Sequence, residues 1–234
     1  MQRTFDILLS AAALVLLSPL LMPIALVLRL SGEGEVFFRQ QRVGRDGVHF
    51  GLYKFATMLK NSPNIGTGTV TLKDDPRVLP VGRILRKTKI NEVPQLLNIL
   101  RGDMSIVGPR PQTQRCFDAF PATSKSAIMR VRPGLSGVGS IAFRDEEELM
   151  HISVSPERLY DDVIMPYKGK LEEWYVEHCG VVTYFKCIFL TAWAIVYPRS
   201  MLLWKVFPGL PPPPPEIAHR LIGNRTHTVR EEHF

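Results

Sequence analysis

The longest apolar stretch of the chain runs from Ile7 to Leu28 without a charged side chain. About 20 such residues let a straight helix cross the hydrocarbon of a bilayer. Arg3 and Arg29 flank the stretch on both sides, so the cytoplasmic preference for Arg and Lys gives no direction of crossing. Ser18-Pro19 and Pro23 lie inside it. Each proline removes a backbone donor and crowds the preceding turn, which predicts a break near the middle. A helix–break–helix hairpin that returns to its face of entry and a kinked transmembrane helix fit this pattern equally. A basic start also suits a secretory signal. However, no small-x-small cleavage site follows, and Arg29-Leu-Ser-Gly-Glu-Gly-Glu leads straight into globular-looking sequence.

Beyond the apolar stretch the periodicities change. Val36 to Arg42 and His49 to Phe55 are β-like runs around the turn-forming Gly44-Arg-Asp-Gly47, which predicts a hairpin. Asn61 to Asp75 reads as a loop rich in Gly and Thr, and Arg77 to Lys87 as a short basic helix. A second helix is expected after Asn91, a favoured N-cap, with Pro94 in its first turn. Val93, Leu96, Leu97 and Leu100 form its apolar stripe and Gly102 ends it. Further helices are expected over Pro121 to Arg130, from Asp145-Glu146-Glu147-Glu148 onward, and with breaks over Ser155 to Gly180. Phe185 to Val196 is apolar and aromatic but too short to cross. Met201 to Phe207, with aromatics beside Lys205, suits an interfacial segment. Pro211 to Pro215 predicts a stiff extended spacer before a polar, mobile tail. The pattern divides the chain into a membrane segment (1–30), a globular domain (31–200) and a terminal region (201–234), with no internal repeat.

Composition narrows the function classes. The 234 residues are 45% hydrophobic and 22% charged, too apolar for a disordered chain. The net charge of +7 suits an anionic bilayer, a phosphorylated substrate or nucleic acid. The apolar stretch and the lack of interleaved surface aromatics disfavour nucleic acid. Cys116, Cys179 and Cys187 are odd in number and far apart, which argues against a disulfide framework or a zinc site. Arg77, Arg83, Arg86 and Lys87, followed by Asn91-Glu92, gather cations beside an expected helix start, an environment for phosphate. Gly108-Pro-Arg110-Pro presents Arg110 on a stiff backbone. Arg130, Arg132 and Pro133-Gly134 form a third basic point. A solvated basic face accounts for any one of these alone. No Walker-type glycine loop and no HExxH occurs.

The ordered text resembles one family. The apolar stretch with Ser18-Pro19, Val36-Phe-Phe-Arg-Gln-Gln-Arg-Val-Gly44, Tyr53-Lys-Phe55, Asp75-Pro-Arg77, Leu85-Arg-Lys-Thr88, Asn91-Glu-Val-Pro-Gln-Leu96 and Gly102-Asp-Met-Ser-Ile-Val-Gly-Pro-Arg-Pro111 are similar to the bacterial sugar transferases. These are small monotopic phosphoglycosyl transferases that begin exopolysaccharide, O-antigen and glycoprotein glycan assembly. The likeness covers Arg3 to Gly139. It implies an α+β, mainly helical fold with a small β-hairpin, a reentrant membrane helix broken at Ser18 and Pro19, and a cytoplasmic catalytic domain with interfacial helices. It implies the bacterial inner membrane, a lipid bilayer, a UDP-sugar donor, a polyprenyl phosphate acceptor, Mg²⁺, and release of UMP. A homodimer remains an open option. Lys54 and Arg86 match functional positions of the family; Pro109, Arg110 and Pro111 match a turn associated with the nucleotide. Arg77 and Arg132 join them as phosphate-side candidates.

One departure matters chemically. The family pattern opens Pro-Gln-Leu with an Asp-Glu pair whose Asp attacks the β-phosphate. Here Glu92 matches the Glu, and is the expected Mg²⁺ ligand, but Asn91 replaces the Asp. Ala56 stands where Arg usually follows Lys-Phe. Asn matches Asp in shape and capping, but a neutral amide is a poor nucleophile and a weak magnesium ligand. Glu92 and Asp145 are then the candidate catalytic carboxylates, unless transfer is direct. The competing reading is a noncatalytic membrane scaffold or regulator of a polysaccharide assembly complex.

Overall fold

The computed structural model describes residues 1–31, 33–65, 75–151, 155–198 and 200–222. The expected loop from Asn61 to Asp75 and the expected mobile tail fall largely or wholly outside them.

Helix α1 (Gln2–Leu30) is a single α-helix that runs through Pro19 and Pro23. The expected break is therefore absent from the backbone. Proline at position 19 leaves the Val15 carbonyl without its amide partner, and the Ser18 hydroxyl donates to that carbonyl at 2.7 Å. The side chain offsets the lost donor locally, so the helix continues.

One face of α1 lies on the rest of the protein along its whole length. Arg3 donates to the Ile99 and Leu100 carbonyls, and Asp6 and Ser10 are buried. Ala13 and Leu14 pack on Leu52, Leu96, Ile99 and Met104, while Leu21 and Ile24 pack with buried Leu28, Phe55 and Leu85. These positions recur every three or four residues, one stripe of a helix. The opposite face carries Val15, Leu16 and Met22, which are 72%, 78% and 74% exposed.

The hairpin forms as its alternation predicts. Strands β1 (Phe37–Val43) and β2 (His49–Phe55) pair antiparallel, Phe38 opposite Lys54 and Arg42 opposite Phe50. Helix α2 (Pro80–Lys87) starts at Pro80, so Arg77 precedes it instead of lying on its surface. Asn91 does not cap the next helix. Lys89 adopts a left-handed φ of 60° and opens a 3-10 turn over Ile90–Glu92, and α3 begins only at Gln95 (Gln95–Arg101). Gly102, at φ 96°, ends α3 as expected. Asn98 of α3 is fully buried. Its amide donates to the Gly51 carbonyl at 2.9 Å and its oxygen accepts from the Tyr53 amide at 3.0 Å, so α3 completes the hydrogen bonding of β2.

A second, parallel strand pair was not legible in the pattern. β3 (Ser105–Val107) and β4 (Gly134–Ser136) pair through Ser105–Gly134 and Val107–Ser136. Between them run α4 (Gln114–Asp118) and α5 (Ala122–Ile128); after them come α6 (Val138–Ala142) and α7 (Glu146–His151). The expected breaks after Ser155 are α8 (Pro156–Leu159), a π turn over Tyr160–Ile164, and α9 (Met165–Glu177). Helix α10 (Val181–Val196) follows, then α11 (Leu202–Val206) and α12 (Pro215–Leu221). Leu203, Phe207, Leu210 and Ile217 are buried in the main core with Leu171, Tyr175 and Leu190. The expected interfacial segment and proline spacer thus pack as part of the domain, because apolar side chains flank the prolines at a spacing that reaches α9. The Tyr167 hydroxyl fixes the strap by donating to the Pro211 carbonyl at 2.8 Å.

Asp6 is the one buried carboxylate of α1. It accepts hydrogen bonds from the Ser105 hydroxyl (3.0 Å), the Ile106 amide (2.9 Å) and the Tyr184 hydroxyl (2.9 Å). Asp6→Ala leaves buried donors unpaired and is expected to destabilise the protein by about 3 kcal/mol. Tyr184→Phe is expected to cost about 1 kcal/mol. Thermal unfolding in a single detergent, with both variants and wild type side by side, checks the order.

Candidate active site

A cavity of about 1170 Å³ opens between the hairpin, the turn before α3, α6, α7 and α10. Strand alternation puts Phe38, Gln40 and Arg42 of β1 on the same face as Lys54 of β2, and all four line the cavity. The left-handed residue Lys89 swings the chain out of α2 so that Asn91 and Glu92 reach the same wall. Arg110 arrives from the Gly-Pro-Arg-Pro turn. That turn is laced to the β4 segment, since the Gly108 amide donates to the Ser136 carbonyl at 2.9 Å and the Gly134 amide to the Pro109 carbonyl at 2.8 Å. A Cβ at Gly108 or Gly134 would collide with the other backbone, so both positions require glycine.

Glu92 is the hub. Arg110 grips its carboxylate with both guanidinium nitrogens, at 2.5 and 3.4 Å, and the Lys54 ammonium lies 3.6 Å away. Burial alone would raise the Glu92 carboxyl. The charges of Arg110 and Lys54 prevail and hold it well below the usual carboxylate range. Burial lowers Lys54 to about 7, against the opposing pull of Glu92. Arg42 is lowered to about 10 by burial and by Arg110; it donates to Gln40 and to the Pro111 carbonyl.

Behind α7 a second pair forms. The Lys168 ammonium bonds the Glu146 carboxylate at 2.6 Å and sits 5.1 Å from the centre of the Phe143 ring. Buried Glu172 is pushed up to about 8 by desolvation, with Lys168 pulling the other way. Asp145 is exposed on the cavity wall. Arg83, Arg86, Lys87, Lys89 and Arg144 add to the lining, so basic groups outnumber the acidic Asp75, Glu92, Asp145 and Glu146. A concave, cation-rich wall of this kind suits a polyanionic ligand such as a diphosphate.

The structure brings Lys54, Arg86, Asn91, Glu92, Arg110 and Asp145 to this one cavity. It does not bring Arg77 or Arg132 there. Arg77 is buried, clamps Asp75 and donates to the Ser62 and Ile65 carbonyls at 2.8 Å, which ties a loop together. Arg132 donates to the Gly102 carbonyl at 2.9 Å, at the far end of α3. Pro109 and Pro111 border a small cleft behind Arg110, with Val43 and Pro133. Ser18 and Pro19 stay on the exposed side of α1, next to Leu17, which does reach the cavity. Arg42, Glu146 and Lys168 were missed. Alternation along β1 and β2 carried the signal for Arg42. Glu146 and Lys168 meet only through the packing of α7 on α9, for which the sequence has no local sign. Among the described residues no group of three or more His, Cys, Asp or Glu side chains is placed to share a metal ion.

The model of a family described as bacterial sugar transferase matches residues 1–198. The exopolysaccharide production protein ExoY of Sinorhizobium fredii is 37% identical over 159 residues, covering 62% of this chain and 70% of that one. The UDP-glucose:undecaprenyl-phosphate glucose-1-phosphate transferase of Escherichia coli K12 is 41% identical over 143 residues, 60% of this chain but 31% of its own length. The undecaprenyl-phosphate galactose phosphotransferase of Salmonella typhimurium is 31% identical over 206 residues, 82% of this chain and 40% of its own.

Lys54 supplies a pH test. Its ammonium is lowered to about 7, so it loses its charge as pH rises through that value. An anionic ligand prefers the charged form. UDP affinity is therefore expected to fall above about pH 7, by at most about tenfold per pH unit. Lys54→Arg keeps its charge, and the slope contributed by position 54 is expected to vanish. Calorimetric titration of UDP into both proteins across this range makes the comparison.

Proposed function

The chain belongs to the bacterial sugar transferase family, and from that premise we propose that it moves a sugar 1-phosphate from a UDP-sugar to polyprenyl phosphate and releases UMP. The observation that carries this reading is the cavity wall on which Glu92, Lys54 and Arg110 form one partly buried ion cluster, rimmed by the cations of α2. Phosphoryl transfer depends on charge neutralisation and alignment more than on elaborate covalent chemistry, and this wall supplies both.

In this reading Lys54, Arg86 and Arg110 hold the diphosphate. Glu92 keeps Arg110 and Lys54 at fixed positions, since both its oxygens already face cations. Asp145 is the carboxylate that attacks. Of the four acids on the wall, Asp75 is held by Arg77, Glu92 by Arg110 and Lys54, and Glu146 by Lys168; Asp145 has no ion pair among the described residues. Its oxygen adds to the β-phosphorus, the bridge to the α-phosphorus breaks, and the electron pair leaves on UMP. An oxygen of polyprenyl phosphate then displaces the carboxylate and takes the phosphosugar.

Magnesium fits this donor set. The Asn91 side-chain oxygen is buried at the cavity wall and has no hydrogen-bond partner, and Glu92 is its neighbour. Mg²⁺ ordinarily takes one or two carboxylates and completes its shell with phosphate and water, so Glu92 would be its ligand here, with the Asn91 amide a weak second, and a large ligand cluster is not required. Bound there, it would neutralise charge developing on the departing phosphate.

Helix α1 fits attachment from one side of the bilayer. At about 1.5 Å per residue it is long enough to span the hydrocarbon. Yet Arg3 and Asp6 near one end and Leu28 at the other pack on the same domain. A helix that crossed would separate those ends by a membrane. A surface-lying α1, inserted through its exposed face on the cytoplasmic side, agrees with both observations and sets the cavity at headgroup depth.

The full chain in membranes, given Mg²⁺, undecaprenyl phosphate and a panel of UDP-sugars, is expected to release UMP with one of them, and Asp145→Asn is expected to lose on the order of a thousandfold in turnover. A phosphosugar adduct on Asp145 is expected by intact-protein mass spectrometry. Full turnover in Asp145→Asn would remove that residue from the mechanism. Silence with every donor would favour a scaffold.

A further inference from the structure

Helices α1 and α10 touch near their N-terminal ends and enclose the cavity farther along. At the first point the Tyr184 hydroxyl bonds Asp6 and the rings of Phe5 and Phe185 meet edge to face at 5.0 Å. Farther along, Leu17 of α1 and Ile188, Ala192 and Ile195 of α10 line the cavity instead. Lys54, Glu92 and Arg110 line this same cavity, so one continuous space has both charged and apolar lining. Ala192 and Ile195 are exposed as well as cavity-lining, which marks them as its rim. The outward face of α10 carries Val182, Phe185, Phe189, Trp193 and Val196, apolar and aromatic at helical spacing, and the outward face of α1 is also apolar.

We infer that the gap between α1 and α10 is the entry slot for the isoprenoid chain of the acceptor, with Ala192 and Leu17 as its two walls. The proposal rests on the transferase reading and deepens it by assigning the lipid half of the acceptor. The occupant must carry one anionic phosphate for the cationic end and a long apolar chain for the rim. The gap is flanked by the exposed apolar faces of α1 and α10, so such a chain can reach the phosphate site from the bilayer without passing through water. A small side chain is needed where the chain passes, and alanine stands there. Filling that position removes the passage while leaving the nucleotide end untouched.

The test uses full-length protein in phosphatidylcholine nanodiscs, with undecaprenyl phosphate titrated in and binding read by native mass spectrometry. Ala192→Phe and Leu17→Trp are each expected to weaken undecaprenyl phosphate binding about tenfold or more, the scale of overfilling a packed site. Both are expected to retain wild-type affinity for UDP, which also reports that they are folded. Ala192→Gly is expected to bind as wild type does. Unchanged undecaprenyl phosphate affinity in both large variants would overturn the slot. So would phosphatidylglycerol competing for it on equal terms. Because binding is read without turnover, a wild type that binds the lipid but releases no UMP from any donor supports the slot while sinking the transferase reading.

Discussion

A carboxylate buried beneath an apolar helix fixes the geometry of the whole molecule. Asp6 gathers donors from β3 and α10, elements remote in sequence, and Arg3 and Gln2 add bonds to α3 and β3 from the same turn. Apolar packing alone is nondirectional and would let α1 slide or rotate over the domain. Three hydrogen bonds to one carboxylate set its register, and they satisfy a polar group whose burial would otherwise be costly. The cavity wall that includes Leu17 and the approach of α1 to α10 both follow from that register.

The chemistry of the cavity follows from a second concentration of charge. Glu92 is held ionised by Arg110 and Lys54, and Lys54 stands close to losing its proton because it is buried. An ion cluster like this costs stability through desolvation and is retained where its position is needed. It explains how the site keeps its cations aligned although Asn91 has no charge. The amide preserves shape at that position, and its oxygen is buried without a hydrogen-bond partner.

Much of the scaffold was legible because it depends on short-range rules. Alternation gave the hairpin, Gly102 ended α3, and apolar length gave α1. The misreadings came where a side chain replaced a backbone group. Ser18 takes up the carbonyl that Pro19 abandons, and Lys89 adopts a conformation usually left to glycine, which delays α3 until Gln95. Arg77 and Arg132 were grouped with the phosphate ligands because they are basic and near the right text. In the fold they bond Asp75 and the Gly102 carbonyl and do not line the cavity.

The sequence by itself determined the local elements, the excess of positive charge, the membrane affinity of the first helix and the family, because each is encoded in periodicity, composition or ordered text. Tertiary structure alone decided which charges share a cavity, which acid of its wall has no ion pair among the described residues, that the proline strap joins the core, and where α1 meets α10. Those outcomes depend on contacts between residues tens to more than a hundred positions apart. Such contacts are set by packing and by satisfaction of buried polar groups, neither of which leaves a local pattern in the chain.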